Sequence, residues 1–594
     1  MTILQALDGY YDRMAARGEA EAPGWSREKF GWCVVIDARG EPVAIQNLHD
    51  LDGKKPVVKQ YDVPAGVKRT VGIAPNFLWD KSAYSLGRTA GDGKRTAQEH
   101  AAFVAANLAR LASADDEGLV AFRLFLENWK PERFDSPPFK PEMLDANIMF
   151  RFEGDTGYLH QRAAARRLVE TAGPAADDDD AILCLVTGTR APLARLHPTI
   201  KGVEGSQSSG ASLVSFNLDA FESYGKAQGA NAPTSEAAAF RYGAALNRLL
   251  TRNGPNRVSR PIGDATTLFW ADASGATPEA ADALDNWFGD ALTMEVEDPA
   301  EARKIGEQLQ AVAKGRPLAT IHPGLAEGVR FHILGLSPNA ARLSVRYWLS
   351  DDLRVFARRL ADHYADLRIE PLPWGKPPSV NRLLAKTAAL QEKFENIPPL
   401  LAGEVMRAIL SGGRYPRSLL TAAMIRLRAG DDPLTGWHAA AIRAVLTRDY
   451  RSNFIREDVP VSLAREEPNK AYQLGRLFAV LETAQRMALG RVNATIRDRY
   501  FGAASATPAG VFPLLLRGVQ NHLAKLRKEG KGGWIEREIE DILARLTLDL
   551  PRALPLAEQG RFAIGYYHQR KEQFAGRPEE AKALEDEKGD DTDD

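Results

Sequence analysis

From Ile369 to Pro378 the chain reads Ile-Glu-Pro-Leu-Pro-Trp-Gly-Lys-Pro-Pro, and this segment divides it into two textures. Proline fixes φ and removes a backbone donor, so a run this rich in proline reads as a stiff, turn-rich linker. Ahead of it, strand and helix signals interleave. Strands are expected over Phe30 to Asp37 and Pro42 to Leu48, around the turn Ala38-Arg39-Gly40-Glu41. Others are expected over Ala181 to Val186, Ser212 to Phe216 and Thr266 to Ala271, and in the pair Val329 to Leu336 and Arg342 to Leu349. Helical spacing marks residues 2–17, where Ile3, Leu4, Leu7, Tyr10, Tyr11 and Met14 share a face, and also 235–251 and 299–314. With no β-α-β rhythm, sequence repeat or Gly-rich fingerprint, α+β fits better than a doubly wound sheet. Behind the linker strand signals stop. Helices are expected over 379–394, 399–411, 416–429, 434–451, 468–500, 509–529 and 533–546, split by Gly412-Gly413, Gly430, a turn over 502–510 and Gly532-Gly533. Connections this short favour an antiparallel helical bundle.

The expected fold is therefore α+β: a mixed N-terminal region with irregular sheets over 1–366, with room for two subdomains, followed by an all-α C-terminal bundle. The linker covers 367–378, the bundle 379–577 and an acidic tail 578–594. A chain of 594 residues exceeds the roughly 250–300 at which one core stops growing. No apolar run approaches the ~20 residues that span a bilayer, and Met1 to Asp8 lack a signal-peptide pattern. A cytoplasmic protein without a membrane partner is expected. Cys33 and Cys184 each sit in an apolar run and read as buried thiols.

The 77 Lys+Arg against 78 Asp+Glu leave no global basic excess, so any nucleic-acid role must be local. Part of the cancellation comes from the tail, where nine acids accompany two lysines between Pro578 and Asp594. Within the bundle, residues 401–456 hold nine arginines, among them Arg414, Arg417, Arg426 and Arg428, against four acids. Residues 486–531 hold Arg486, Arg491, Arg497, Arg499, Arg517, Lys525, Arg527, Lys528 and Lys531 against Asp498 and Glu529. The guanidinium fork matches phosphate oxygens, although a helical charge run also suits a solvated face.

Two basic loops stand out in the N-terminal region. Lys54, Lys55, Lys59, Lys68 and Arg69 precede Asn76, whose amide offers both donor and acceptor to a base edge; a surface loop anchored by Phe77 and Trp79 is the other reading. Lys201, Gln207, Ser208 and Ser209 lie in a Gly- and Ser-rich stretch that suits a phosphate track or a flexible connection.

Catalytic signatures are missing. Gly91-Asp92-Gly93-Lys94-Arg95-Thr96 fails as a P-loop, because Arg95 stands where Ser or Thr must reach Mg2+ and Arg88 where the first glycine belongs. No nucleophile elbow, His-x-x-x-His or Cys-x-x-Cys occurs. His49-Asp50 and Asp362-His363 with Asp366 are the only hints of a metal nuclease centre, and neighbours of this kind arise by chance. The expectation is a non-enzyme with no catalytic residue, metal or cofactor.

Several segments, in order, carry a resemblance: Ile3-Leu4-Gln5-Ala6-Leu7 with Tyr10-Tyr11, Lys68 through Asp80, Gly210 through Asn217 leading to Phe221 and Tyr224-Gly225, and Gly263 through Ala271. The Leu334 to Tyr347 hairpin, Tyr472 through Phe478 and Gly565-Tyr566-Tyr567 continue it. Over most of its length the chain resembles the Csd-type large subunit of the type I-C CRISPR surveillance complex, Cascade. The resemblance implies a subunit that reads a protospacer-adjacent motif in duplex DNA, helps open the duplex, supports the displaced strand in the R-loop and recruits a helicase-nuclease. It implies guide-RNA-bearing backbone and foot subunits as partners, target DNA as ligand, and a small subunit matching the C-terminal bundle, made from an internal start for which Met487 is one candidate. Lys54, Lys55, Lys68, Arg69 and Asn76, with Lys201, Gln207, Ser208 and Ser209, are then expected near the motif duplex. Arg414, Arg417, Arg426, Arg428, Arg486, Arg491, Arg497 and Arg499 are expected along the displaced strand. The rival readings are a metal-dependent nuclease and a scaffold that touches only protein.

Overall fold

Trp32-Cys33-Val34-Val35-Ile36 is apolar at every position, and all five side chains are buried in a sheet. The computed structural model describes the chain except residues 21, 23, 53–54, 68, 70–71, 171–180, 273–276, 294–298, 318–328, 391–392, 491–492, 547–549 and 576–594. It groups residues 1–202, 206–251 and 339–343 into a first unit, and 203–205, 252–338 and the chain from Ser344 onward into a second.

The first unit opens with α1 (Ile3–Ala16), where Thr2 and Gln5 form a reciprocal capping box. Five strands follow: β1 (Trp25–Phe30), β2 (Trp32–Ile36), β3 (Pro42–Asn47), β4 (His49–Asp52) and β5 (Lys55–Pro64). After β6 (Trp79–Lys81) come α2 (Ser82–Ser85), α3 (Thr96–Arg110), α4 (Glu117–Asn128), β7 (Asn147–Phe152) and α5 (Ala163–Glu170). The pairs β8 (Ala181–Leu183) with β9 (Arg190–Pro192) and β10 (Thr199–Ile200) with β11 (Ala211–Ser212) precede α6 (Glu236–Leu249). One sheet has the order β3-β2-β7-β6, with β2 and β7 parallel; a second, antiparallel ribbon has the order β1-β5-β4. Phe103 of α3 and Phe122 and Phe125 of α4 pack with Val34, Ile36, Ile148 and Phe150 to make the core beneath the first sheet. Helix α6 docks on α1 through Arg241, whose Nε donates to Asp8 at 2.5 Å.

The second unit has β12 (Thr266–Ala271), α7 (Pro278–Thr293), α8 (Pro299–Ala313), β13 (Arg330–Asn339), β14 (Arg342–Asp352) and α9 (Leu353–Leu367). Then follow α10 (Val380–Lys386), α11 (Pro399–Ser411), α12 (Arg417–Arg428), α13 (Trp437–Arg451), α14 (Lys470–Leu489), α15 (Ile496–Ala506), α16 (Pro508–Lys528), α17 (Gly533–Arg545) and α18 (Leu556–Ala575). Irregular small sheets lie in the N-terminal half and helices fill the C-terminal half, which makes the fold α+β. Phe269 and Phe331 of the strands share one continuous apolar core with the bundle residues Val405, Ile442 and Phe478. The Pro-rich segment is clamped onto the bundle: Glu370 donates its N–H to Val461 at 2.8 Å, the Tyr567 hydroxyl donates to the Pro371 carbonyl at 2.6 Å, and Trp374 lies 4.9 Å from Trp437.

Helices α14 and α18 form the seam of the bundle. Contacts advance together along both, from Tyr472 with His568 through Arg476 with Gln569 to Thr483 with Gln573, so the two helices run in the same direction. A methyl group added at Gly475 would overlap the Phe562 carbonyl, and one at Gly565 the Tyr472 carbonyl. Glycine at these two positions lets the backbones touch.

Four expectations change at the level of elements. The helix expected over 468–500 breaks at Gly490, whose φ of 68° is left-handed, into α14 and α15. Helix α15 runs to Ala506, inside the expected turn over 502–510, and the break falls at Thr507-Pro508 instead. The strand expected over Ser212 to Phe216 shrinks to Ala211–Ser212, and the helix expected over 379–394 ends at Lys386.

Candidate nucleic-acid interface

The loop between β5 and β6 is organised around a buried carboxylate. Asp80, fully buried, accepts the Asn76 N–H at 2.9 Å and a charged hydrogen bond from Arg69 at 2.5 Å. Burial raises the Asp80 carboxyl above its usual range, against the opposing pull of Arg69 and of the Asn76 and Lys81 amides. Arg69 also donates to the Ala74 carbonyl at 2.7 Å and lies 3.9 Å over the Tyr84 ring. Asn76 is 6% exposed, and its Oδ1 accepts the Val67 N–H at 2.9 Å. Asn107 closes the other side, donating to the Asn76 carbonyl at 3.1 Å and accepting from Leu78 at 2.9 Å. Arg69 and Asn76 therefore shape this loop from within, and the acceptor of Asn76 that was expected at a base edge holds Val67.

Lys54 and Lys68 lie outside the described residues, and the backbone of Lys55 starts β5. Lys59, on the exposed face of that ribbon, pairs with Asp50 at 2.9 Å. The second loop is more open. Lys201 is exposed and pairs with Glu28 at 3.0 Å, while Asn247 accepts its backbone N–H at 2.8 Å. A turn from the Gly210 N–H to the Gln207 carbonyl, 2.8 Å, presents Gln207, Ser208 and Ser209 to solvent. All four of these residues belong to the first unit.

In the bundle the arginines divide into two kinds. Arg414 donates to Asp449 at 2.6 Å and covers Phe454 at 3.5 Å; Arg486 pairs with Glu482 one turn earlier at 3.3 Å. Arg426 binds Asp431, which also meets the buried His438 at 3.2 Å, and burial holds that imidazole below its usual pKa. Arg497 bridges Asp432 at 3.5 Å and Asp498 at 3.1 Å. Arg428 donates to the Gln559 side chain. Arg417 and Arg499 are exposed and pair with no acid among the described residues; Arg491 lies outside them.

Sequence reasoning passed over α16 as a unit. Its 21 residues contain no acid, and Arg517, Lys525, Arg527 and Lys528 are exposed along it with Gln520 and Asn521. Lys525 donates to the Ala488 carbonyl at 2.5 Å and Arg527 to Glu536 at 2.6 Å, which fixes two of these cations on the helix surface. The absence of Asp and Glu across a helix this long was the available signal.

The hints of metal chemistry resolve into structural contacts. Asp366 pairs with Arg448 at 2.7 Å and with Arg451, which also takes Asp362 at 3.1 Å. His363 is buried with the Tyr415 hydroxyl at 2.6 Å, and burial lowers its pKa to about 3. Among the described residues no group of three or more His, Cys, Asp or Glu is placed to hold a metal ion, and no helix is long and apolar enough to cross a membrane.

No curated protein matches the chain. Residues 7–574, nearly its whole length, match the family described as CRISPR-associated protein (Cas_Csd1), in agreement with the large-subunit resemblance carried by the ordered segments. With basic loops on one unit, a cationic bundle on the other and this family match across both, the chain belongs to the Cas_Csd1 family of CRISPR-associated proteins.

Proposed function

We propose that the chain is the non-catalytic large subunit of a type I-C Cascade, where it reads the protospacer-adjacent motif, helps open the duplex, holds the displaced strand of the R-loop and receives a helicase-nuclease. The family match over residues 7–574 carries this reading. In RNA-guided recognition base pairing reads sequence and protein reads only a short motif, so the chain needs backbone contacts and few base contacts. The open 201–209 loop supplies the reading groups: Gln207, Ser208 and Ser209 face solvent with hydroxyl and amide donors, and Lys201 adds a phosphate contact. Arg69 and Asn76 act by shaping the 65–81 loop, with Lys54, Lys55 and Lys68 as phosphate contacts. Arg417 and Arg499 contact the displaced strand directly, and Arg491 adds a further phosphate contact. Arg414, Arg426, Arg428, Arg486 and Arg497 contribute charge from positions fixed by their protein partners. The bundle, made again as a free small subunit, would extend this track.

The test is photo-crosslinking of the assembled, RNA-loaded complex to target DNA. Crosslinks from the 201–209 loop to the motif duplex and from α12, α15 and α16 to the displaced strand are expected; a chain with no DNA crosslink is a protein-only scaffold. Cleavage of DNA by the purified chain with Mg2+ or Mn2+ would replace the non-catalytic reading with a nuclease.

A further inference from the structure

A pocket opens on the bundle where α14, α15 and α16 meet, lined by Leu481, Gln485, Ile496, Tyr500, Leu514 and His522, with Gly518 at its edge. Its volume is about 160 Å³. An engineered apolar cavity of about 150 Å³ admits one benzene ring, so this space suits one planar ring and is too small for the side of a helix. Leu514 and Tyr500 stay 56% and 36% exposed although each borders apolar neighbours, so the pocket leaves apolar surface in water. A large side chain left exposed in this way beside a cavity marks a binding surface more often than an isolated surface leucine does.

The surroundings select the ligand. Arg499 precedes Tyr500, Arg517 precedes Gly518, and both arginines are exposed. Helix α16 has no acid, so its face presents cations and neutral polar groups only. Polar groups also reach the pocket itself. The Gln485 Oε1 accepts the Ile496 N–H at 2.8 Å, which fixes that side chain at the wall. Burial, aided by Lys525, lowers the pKa of His522, whose ring nitrogens add hydrogen-bonding groups to the lining. A ring-sized, largely apolar slot lined by a phenol and an imidazole, on helices that also carry the exposed Arg499 and Arg517, matches a nucleotide with its base unstacked.

We propose that this pocket takes one unstacked base of a single-stranded nucleic acid, with Tyr500 against the base face and Arg499 and Arg517 on the flanking phosphates. The inference rests on the bundle holding a single strand, and it adds that the hold includes base stacking as well as charge. Stacking on an aromatic ring tolerates any base, as a chain that meets every target sequence requires.

The experiment uses the full chain, with fluorescein-labelled oligothymidylate and an abasic oligomer of equal phosphate count as probes. Tyr500→Ala should weaken oligothymidylate binding about tenfold and leave the abasic oligomer unchanged, and Tyr500→Phe should stay within about twofold of the parent. Arg499→Ala with Arg517→Ala should weaken both probes and flatten the salt dependence. A Tyr500→Trp variant guards against misfolding, since saturating oligothymidylate should quench its indole fluorescence beyond any change seen in the parent, whose ten tryptophans set the baseline. Equal loss on both probes for Tyr500→Ala, or an unquenched indole at saturation, overturns the pocket assignment and leaves strand holding intact. A parent chain that binds neither probe at physiological salt overturns strand holding itself.

Discussion

Asp366→Ala separates a structural carboxylate from a catalytic one. Asp366 is fully buried and meets Arg448, itself 2% exposed along its side chain, at 2.7 Å. Without the carboxylate, Arg448 keeps only neutral acceptors: the Gly413 carbonyl at 2.8 Å, the Ala408 carbonyl at 3.3 Å and the Tyr415 hydroxyl. Removing one partner of a buried ion pair costs about 3–5 kcal/mol, because the remaining charge is left uncompensated in a low dielectric. In a unit this large that corresponds to a loss of roughly 4–7 °C in its melting temperature, read by differential scanning calorimetry. The double variant Asp366→Leu with Arg448→Met removes both charges and should recover most of the loss. Calorimetry repeated with millimolar Mg2+ or Mn2+ should leave the parent unchanged, since a ligand bound only by the folded state raises its melting point. A parent stabilised by metal through Asp366, or an Asp366→Ala chain that melts with the parent, would refute the ion-pair account.

Gly475→Ala should destabilise the chain by roughly 2 kcal/mol or more, since the added methyl meets the Phe562 backbone and no rotamer relieves the overlap; urea denaturation checks it. Burial holds His363 at about 3 and His568 at about 4, below the usual 6.5 that the unfolded chain retains. The unfolded state therefore binds the extra protons, and stability should be flat above about pH 6.5 and fall at about 1.4 kcal/mol per pH unit per histidine down to about pH 4. A melting temperature independent of pH across that window would be the contrary result. Asn76→Ala removes the acceptor for Val67 and should weaken DNA binding equally on good-motif and scrambled-motif targets; Gln207→Ala with Ser208→Ala and Ser209→Ala should lose only the preference between them, measured by competition binding.

Elements with one uninterrupted period were legible from residue type alone. Thr266–Ala271, two β-branched threonines followed by Leu-Phe-Trp-Ala after Gly263-Asp264, was read to its ends. Helices α1, α11 and α16 were placed within a residue or two by apolar spacing and by the glycines and turns that bound them. The ribbon β4–β5 was missed because His-Asp-Leu-Asp and Lys-Pro-Val-Val-Lys mix charge and proline, which leaves no alternating apolar pattern to read. Helix α18 was not separated because Arg561, His568, Gln569 and Arg570, which read as solvent-facing, are all buried in the seam. The same blindness limits sites: Arg69 looks like a phosphate contact until Asp80, 11 residues on, is found beneath it. The basic runs were visible as composition, but which arginines already hold a protein acid depends on tertiary neighbours. Tyr500 and Leu514 gave no signal, since Leu514 stands beside the core residue Leu515 and only the packing of three helices leaves it open.

The glycine seam ties α18 to residues that precede Met487. A polypeptide begun at Met487 would retain only Met487–Leu489 of α14. It would lack Gly475 and Tyr472, so α18 would expose Phe562, Gly565 and Tyr566 along the side now covered by α14. A shorter product of the same message that is to keep this seam would have to include α14 from Lys470.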